Sequence, residues 1–128
     1  MAVKIAAAMG CIVTVLTRSP AKREMALAMG ATRVIVSTDA AEMKSAAKSL
    51  HFIYNSIAFA HDIQPYLNLL RSQGTIIMIG GVPVGCMPKG SFALIGRGLR
   101  VVGSLIGGIR DTQVSEIEKS FLSRIIIV

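Results

Sequence analysis

Helix-like and strand-like segments alternate along this chain, and only a few residues connect each to the next. Ala-rich stretches that end at glycine alternate with short runs of Val, Ile and Leu, and glycine is the residue that most easily takes the left-handed conformation at a helix end. Short helix–strand connections favour parallel strands. The sequence therefore predicts an α/β fold with a doubly wound parallel sheet, in which ligands bind beyond the carboxyl ends of the strands.

The hydrophobic pattern also predicts where these elements lie. Strands are expected at Cys11–Leu16, Arg33–Val36, Phe52–Ile57, Thr75–Ile79 and Leu99–Gly103. Helices are expected at Met1–Met9, Pro20–Met29 after a Ser19 cap, Ala40–Lys48, Asp62–Leu70, and from Asp111 or Thr112 to Leu122. The strand exits, where we expect any chemistry, are Thr17–Ser19, Ser37–Asp39, Ser56–Phe59, Gly80–Val84 and Ser104–Gly108.

Composition excludes several classes of protein. The 128 residues are 52% hydrophobic and 16% charged, which is typical of one folded domain and excludes intrinsic disorder. A net charge of +7 suits an anionic ligand. A nucleic-acid partner is not expected, because aromatic residues make up 5% and the basic residues are spread along the chain. A membrane partner is not expected either, because glycine and proline interrupt the uncharged stretch Ser72–Pro88.

The cysteines and histidines give no sign of a metal site. Two cysteines cannot make a disulfide scaffold or complete a tetrahedral zinc site, so Cys11 and Cys86 are interpreted as small buried hydrophobic residues. His51 and His61 are interpreted as structural or solvated. With no secretory signal in the sequence, we expect a cytoplasmic protein.

The exit of the first predicted strand has the chemistry of a phosphate site. In dinucleotide-binding folds an acidic residue here accepts hydrogen bonds from the adenosine ribose, and a cation instead favours a phosphorylated ribose. This exit has no acid but carries hydroxyl and cationic side chains: Thr17, Arg18, Ser19, Lys22 and Arg23. They predict a preference for NADP over NAD, although the same residues also suit an ordinary Ser-Pro helix cap with solvated basic side chains.

Two later strand exits are rich in glycine. Gly80 and Gly81 follow an apolar strand, and glycine allows a backbone to approach a flat ring closely. The segment Gly103–Gly108 has the same character. Both also suit plain strand-to-loop exits.

Taken together and in order, these stretches resemble the cofactor domain of zinc-dependent medium-chain alcohol dehydrogenases, in the branch that resembles cinnamyl alcohol dehydrogenase. The matching stretches are Ala2–Gly10, Val13–Val15, Pro65–Leu70, Gly74–Gly80 and Gly103–Gly108. The resemblance implies a Rossmann-type fold and NADP-dependent interconversion of alcohols and aldehydes. It also implies 2′-phosphate contacts at Thr17, Arg18, Ser19 and Lys22 or Arg23, and nicotinamide contacts near Gly80, Gly81, Val82, Ser104, Leu105 and Ile106.

The chain departs from the family pattern in what it lacks. The first sheet strand and the Gly-rich turn that should precede Met1 are missing, and so are the zinc ligands, which neither cysteine matches. We therefore divide the chain into a partial NADP-binding domain, residues 1–113, and a divergent tail, residues 114–128. Without the first strand we expect Cys11–Leu16 and Phe52–Ile57 to have one unpaired edge each, so that the sheet collapses across the gap or separates into two halves.

The resemblance and the missing segments leave three hypotheses about function. The first is an NADP-binding part of a dehydrogenase that is inactive when isolated, with zinc and the alcohol or aldehyde substrate held elsewhere in the full-length family. The second is a nucleotide-binding module without chemistry, and the third is part of a zinc-free, quinone-reductase-type enzyme. The resemblance further implies a homodimer formed around Ser91–Gly108.

Overall fold

A computed structural model describes residues 1–81, 83, 90–104 and 124–127, the last group by its backbone alone. The described strands form one parallel sheet in the order β2-β1-β6-β3-β4-β5. The strands are β1 (Ile12–Thr17), β2 (Arg33–Val36), β3 (Leu50–Asn55), β4 (Leu70–Met78), β5 (Arg100–Gly103) and β6 (Arg124–Ile127). The doubly wound α/β class expected from the alternation is confirmed.

Helices cover both faces of the sheet. They are α1 (Ala2–Ala8), α2 (Arg23–Ala28, preceded by a 3₁₀ turn at Pro20–Lys22), α3 (Ala40–Ser45), α4 (Gln64–Leu67) and α5 (Phe92–Ile95). Successive strand residues alternate between the faces. In β1, Val13 packs with α1, while Leu16 joins the larger core that lies beside α3, α4 and α5. This larger core contains most of the fully buried aliphatic side chains, including Ile35, Ile53 and Ile76.

Glycine ends α1 and α2 in the same way. Gly10 and Gly30 have φ angles of +78° and +101°, which a residue with a side chain adopts only with strain. The amide of Cys11 donates to the carbonyl of Ala6 at 3.0 Å, and Ala31 donates to Ala26 at 3.1 Å. Each bond closes a Schellman-type helix end, so both helices stop where the sequence predicts and turn directly into β1 and β2.

The centre of the sheet corrects one expectation. The edges of β1 and β3 are not left open, because β6 lies between them and pairs in parallel with both. Val13 and Phe52 are both in register with Ile125. The apolar strand β6 thus occupies the position where a gap was expected. Its insertion is favourable because the backbone groups on the facing edges of β1 and β3 would otherwise lack hydrogen-bond partners in the sheet. The division of the chain into a domain (residues 1–113) and a tail (residues 114–128) stays a prediction. Four residues of the predicted tail, Arg124–Ile127, lie inside the sheet.

Other element bounds differ modestly from the expectation. Helix α4 is shorter than predicted because Leu69 and Leu70 are buried in the sheet core, where Leu70 begins β4. Helix α5 was not expected, and the helix predicted from Asp111 or Thr112 to Leu122 lies outside the described residues. Among the described helices, none has the length and apolar character needed to cross a membrane.

Candidate functional site

The strand exits converge on one edge because all the described strands are parallel. Thr17 pairs with Val36 in register, which places the exits of β1 and β2 side by side. Met78 pairs with Gly103, which does the same for β4 and β5. The sequence-predicted residues therefore form two groups on one edge, an amino-terminal group after β1 and a carboxyl-terminal group after β4 and β5.

The first group, Thr17, Arg18, Ser19 and Lys22, we call the phosphate corner. The Ser19 amide donates to the Thr17 hydroxyl at 3.2 Å, which folds the chain sharply as it leaves β1. Ser19 occupies the cap position of the following turn, but its side chain makes no capping hydrogen bond. Ser19 therefore does not act as an ordinary helix cap, because its hydroxyl accepts no hydrogen bond from the backbone amides of the turn.

The two cations of the phosphate corner are exposed. Arg18 and Lys22 both lie at the surface, and in the described part of the chain neither forms an ion pair with a carboxylate. A cation without an acidic partner beside hydroxyl groups is a suitable environment for an anion with several acceptor oxygens, such as a phosphate monoester.

Arg23 is placed differently from the other predicted residues. Its guanidinium donates to a Glu42 carboxylate oxygen at 2.6 Å and to the Val34 carbonyl at 3.0 Å. The other Glu42 oxygen accepts from the Val36 amide at 2.8 Å. Arg23 thus ties α2 to β2 and α3, and its donors are largely committed to the fold.

Tyr66 is a member of this edge that the sequence patterns do not reveal. This half-buried residue of α4 hydrogen-bonds to Ser37, just after β2, and lies within electrostatic reach of Arg18. Burial raises the pKa of the Tyr66 phenol above its ordinary value, against the opposing effects of the Ser37 hydrogen bond and the Arg18 charge. The phenol is therefore a neutral donor or acceptor beside the phosphate corner at physiological pH.

The two glycines after β4 have different roles. A Cβ atom on Gly80 would lie 2.6 Å from the Ile57 carbonyl carbon and 2.8 Å from the Ser56 oxygen, so only glycine fits there. A Cβ atom on Gly81 would meet nothing within 4 Å. Close packing between the β3 and β4 exits explains Gly80, while the open side of Gly81 leaves room for a ligand.

The end of β5 lies next to the end of β4, which these glycines follow. The Ser104 amide donates to the Met78 carbonyl at 3.0 Å, which extends the β4–β5 pairing by one residue. Of the remaining predicted nicotinamide contacts, Val82, Leu105 and Ile106 lie outside the described residues. The structure thus places Ser104 beside Met78, two residues before Gly80.

A second feature missed by the sequence analysis joins β3 to the loop that follows it. The Asn55 side chain is 1% exposed, and its amide nitrogen lies 2.8 Å from Nε2 of His61. Nδ1 of His61 lies 2.8 Å from the Phe59 carbonyl oxygen. Of the two interpretations of His61, structural or solvated, these contacts support the structural one, and spacing alone could not indicate its specific hydrogen bonds.

The described residues contain no group of three His, Cys, Asp or Glu side chains that could hold a metal ion. Cys11, interpreted as a small buried hydrophobic residue, is indeed buried. The described residues therefore do not fit the zinc site that the family resemblance implies.

A doubly wound parallel sheet with a basic, hydroxyl-rich exit after β1 defines a Rossmann-type α/β domain. The profile of the zinc-binding dehydrogenase family matches residues 1–123, and the chain belongs to that family. A similar curated protein is a probable cinnamyl alcohol dehydrogenase 2 from Picea abies, 42% identical over 114 residues. That match covers 88% of this chain and 32% of the relative, so the chain spans about a third of the length of such relatives.

Solved structures give the same family and fold. A cinnamyl alcohol dehydrogenase of Sorghum bicolor matches with a TM-score of 0.82 and 40% identity, over 90% of this chain and 33% of that one. A cinnamyl alcohol dehydrogenase of Helicobacter pylori, complexed with NADP(H), matches with a TM-score of 0.73 and 38% identity, over 90% and 32% of the two chains.

Proposed function

We propose that this chain is the NADP(H)-binding part of an oxidoreductase that interconverts alcohols and aldehydes by hydride transfer. The observation that carries the proposal is the phosphate corner, where Arg18 and Lys22 lie exposed without an acidic partner among the described residues. Bound NADP(H) would supply the hydride acceptor or donor, and the residues of this chain would bind and orient it.

The adenosine end is best supported. A 2′-phosphate beside Arg18 and Ser19 would accept charge-assisted hydrogen bonds from the guanidinium and a further bond from the Ser19 hydroxyl. The Thr17 hydroxyl donates to the Ser19 carbonyl at 3.3 Å, so it would bond to the phosphate only by giving up that contact. The unphosphorylated ribose of NAD offers no charge for Arg18, and residues 17–23 contain no carboxylate that could accept from its hydroxyls. Since Arg23 is held by Glu42 and Val34, the contact implied at Lys22 or Arg23 is assigned to Lys22.

The nicotinamide end is assigned to Gly81 and Ser104, with Gly80 supporting them. The exits of β1 and β4 are three strand positions apart, which corresponds to about 14 Å across the sheet. An extended dinucleotide spans such a distance, with its adenosine at the phosphate corner and its nicotinamide at the glycines. The contacts expected at Val82, Leu105 and Ile106 belong to the same proposal.

The proposal limits what this chain does by itself. Its sequence contains neither the Gly-rich turn that cradles a pyrophosphate nor a ligand set for zinc among the described residues. We therefore propose that the isolated chain binds the phosphorylated adenosine end of the cofactor and catalyses no alcohol oxidation. Substrate binding, the zinc of the family and a homodimer formed near Ser91–Gly108 are assigned to the whole enzyme, acting in the cytoplasm.

Adenosine 2′,5′-bisphosphate tests this assignment because it contains the adenosine end alone. We expect it to bind the chain at least tenfold more tightly than adenosine 5′-monophosphate, as measured by calorimetric titration at low salt, since the two ligands differ only by the 2′-phosphate. Equal affinities would overturn the phosphate corner. In parallel, alcohol-dependent formation of NADPH by the purified chain, followed at 340 nm, would overturn the predicted inactivity.

A further inference from the structure

The loop after β3 is held by one buried side chain with three polar contacts, of which the longest runs from the Asn55 Nδ2 atom to the Met78 sulfur at 3.6 Å. The Asn55 Oδ1 atom accepts a hydrogen bond from the Ile57 amide at 3.1 Å, and the Asn55 Nδ2 atom faces Nε2 of His61 at 2.8 Å. The Asn55 backbone carbonyl accepts from the amides of Ile79 and Gly80 at 2.9 Å and 3.1 Å. Asn55 therefore connects the β3 exit to the β4 exit, where the nicotinamide end is proposed to bind.

These contacts determine which nitrogen of His61 carries the proton. A backbone amide can only donate, so the Ile57 contact fixes the Asn55 oxygen on that side and leaves the NH₂ group facing His61. Nε2 must then be an acceptor. A backbone carbonyl can only accept, so Nδ1, which faces the Phe59 oxygen at 2.8 Å, must be a donor. Two independent contacts thus require the neutral, Nδ1-protonated tautomer.

Protonation of the ring would break this arrangement. A charged imidazole donates from both nitrogens, so an Nε2 proton would point at the Asn55 NH₂ group. Turning the Asn55 amide around would not help, because its NH₂ group would then face the Ile57 amide, another donor. Since Asn55 is buried, water cannot easily resolve either conflict.

We propose that His61 is a positioning residue that holds the β3 exit against the β4 exit in its neutral Nδ1-protonated form, and that protonating it loosens this edge and weakens NADP(H) binding. The effect on NADP(H) rests on the proposed function, whereas the tautomer and the loosening do not. His61 acts through Asn55 and Gly80 on the site and contacts no reacting atom.

The other groups around the His61 ring are accounted for among the described residues. The ring packs edge-on against Tyr66 of α4, with centroids 5.9 Å apart, and against Phe59 of its own loop at 6.4 Å. The phenol of Tyr66 bonds to Ser37 and is influenced by Arg18. The neighbouring Asp62 carboxylate accepts from the Gln64 amide at 2.9 Å. The direct polar partners of the ring are therefore Asn55 and Phe59.

Nitrogen-15 NMR of the histidine rings tests the tautomer without any cofactor. With the ring neutral we expect His61 to show a protonated Nδ1 and an unprotonated Nε2, and the amides of Ile57 and Gly80 to shift together with His61 when acid protonates the ring. An Nε2-protonated ring or a mixture of tautomers would overturn the proposal. So would Ile57 and Gly80 amides that do not respond when His61 becomes charged.

A matched pair of variants separates the role from simple packing. In His61→Gln the side-chain oxygen can reach the Nε2 position and accept from Asn55 without titrating, whereas in His61→Asn the shorter side chain reaches only the Nδ1 position. We expect His61→Gln to bind NADP⁺ within about threefold of the parent chain at pH 8, and His61→Asn to bind about tenfold more weakly. Equal binding by both variants would overturn the positioning role.

The pH dependence gives a further readout. When acid protonates the His61 ring, the dissociation constant of NADP⁺ should rise about tenfold more in the parent chain than in His61→Gln under the same conditions. Titration of the cofactor's own phosphate is common to both proteins, so the difference reports His61. Identical pH profiles would contradict the proposal. If the parent chain binds no NADP⁺ at any pH, the proposed function fails, while the NMR result still decides the tautomer and the loosening.

Discussion

Arg23 and Glu42 form an ion pair of 2.6 Å that joins the beginning of α2 to α3. Glu42 also accepts from the Val36 amide, so the pair closes a small network around the end of β2. One of the basic residues expected to meet a phosphate is therefore part of the scaffold, whereas Arg18, which lies exposed after β1, stays a predicted phosphate contact.

Arg18→Met should therefore weaken cofactor binding, whereas Arg23→Met should lower stability. Loss of the Arg18 guanidinium should cost about 1.5–3 kcal/mol of NADPH binding, or roughly ten- to a hundredfold, and leave the melting temperature nearly unchanged. Loss of Arg23 should lower the free energy of unfolding by about 1 kcal/mol, because the side chains of Arg23 and Glu42 remain 41% and 32% exposed and solvent screens the pair. Fluorescence titration and urea unfolding measure the two quantities. An NADPH affinity that falls equally in both variants would contradict this assignment.

Gly80→Ala and Gly81→Ala form a second matched pair. The Gly80 variant places a methyl group against the Ile57 and Ser56 carbonyls and should lower the free energy of unfolding by about 1–3 kcal/mol. The Gly81 variant meets open space, so it should fold normally and weaken NADPH binding only. Chemical denaturation and cofactor titration distinguish the two. A Gly81→Ala protein that binds NADPH as tightly as the parent would remove Gly81 from the site.

Tyr66 should make stability depend on alkaline pH. Because burial raises the pKa of its phenol above the ordinary 10.0, the unfolded chain loses this proton first as the pH rises. The contribution of Tyr66 to folding is therefore complete below about pH 10 and is lost as the pH rises through the higher folded value. Urea midpoints between pH 8 and pH 11 should fall more steeply for the parent than for Tyr66→Phe. If the urea midpoints of the two proteins fell in parallel with pH, burial would not raise the pKa of the Tyr66 phenol in the folded chain.

Local sequence signals predicted most of the fold. Gly10 and Gly30 end α1 and α2 because glycine alone takes a positive φ without strain, and the apolar run of β2 was placed correctly to the residue. The location of β6 could not be predicted, because a short apolar run at residues 124–127 does not reveal which strands it pairs with. Pairing between distant segments depends on which edges are open after the rest of the sheet has formed.

The candidate site was predicted less completely, for a similar reason. The residue types after β1 indicated phosphate chemistry, but nothing in the order of the residues showed that Arg23 would reach Glu42, 19 positions away. The Asn55–His61 contact joins residues only six positions apart, yet it depends on how the loop after β3 closes over a buried amide. Contacts made by loop closure leave no periodic signal in a sequence.

The position of β6 gives a direct test of the sheet. Ile126 lies in the central strand, in register with Thr14 on one side and Ile53 on the other. Proline there removes a backbone donor from the middle of the sheet, so Ile126→Pro should lower the free energy of unfolding by at least about 3 kcal/mol and cause aggregation. Ile126→Val keeps the donor and should melt and scatter light much as the parent does. Thermal melts with light scattering report both properties. A monomeric Ile126→Pro protein with the parental melting temperature would show that β6 does not occupy this position.

The preference between NADPH and NADH measures the central claim most directly. The two cofactors differ only in the 2′-phosphate, so isothermal titration of the purified chain with each, at the same pH and salt concentration, isolates the contribution of that phosphate to binding. We predict that NADPH binds at least tenfold more tightly, and that raising the salt concentration narrows the difference. Equal affinities, or tighter binding of NADH, would contradict the account.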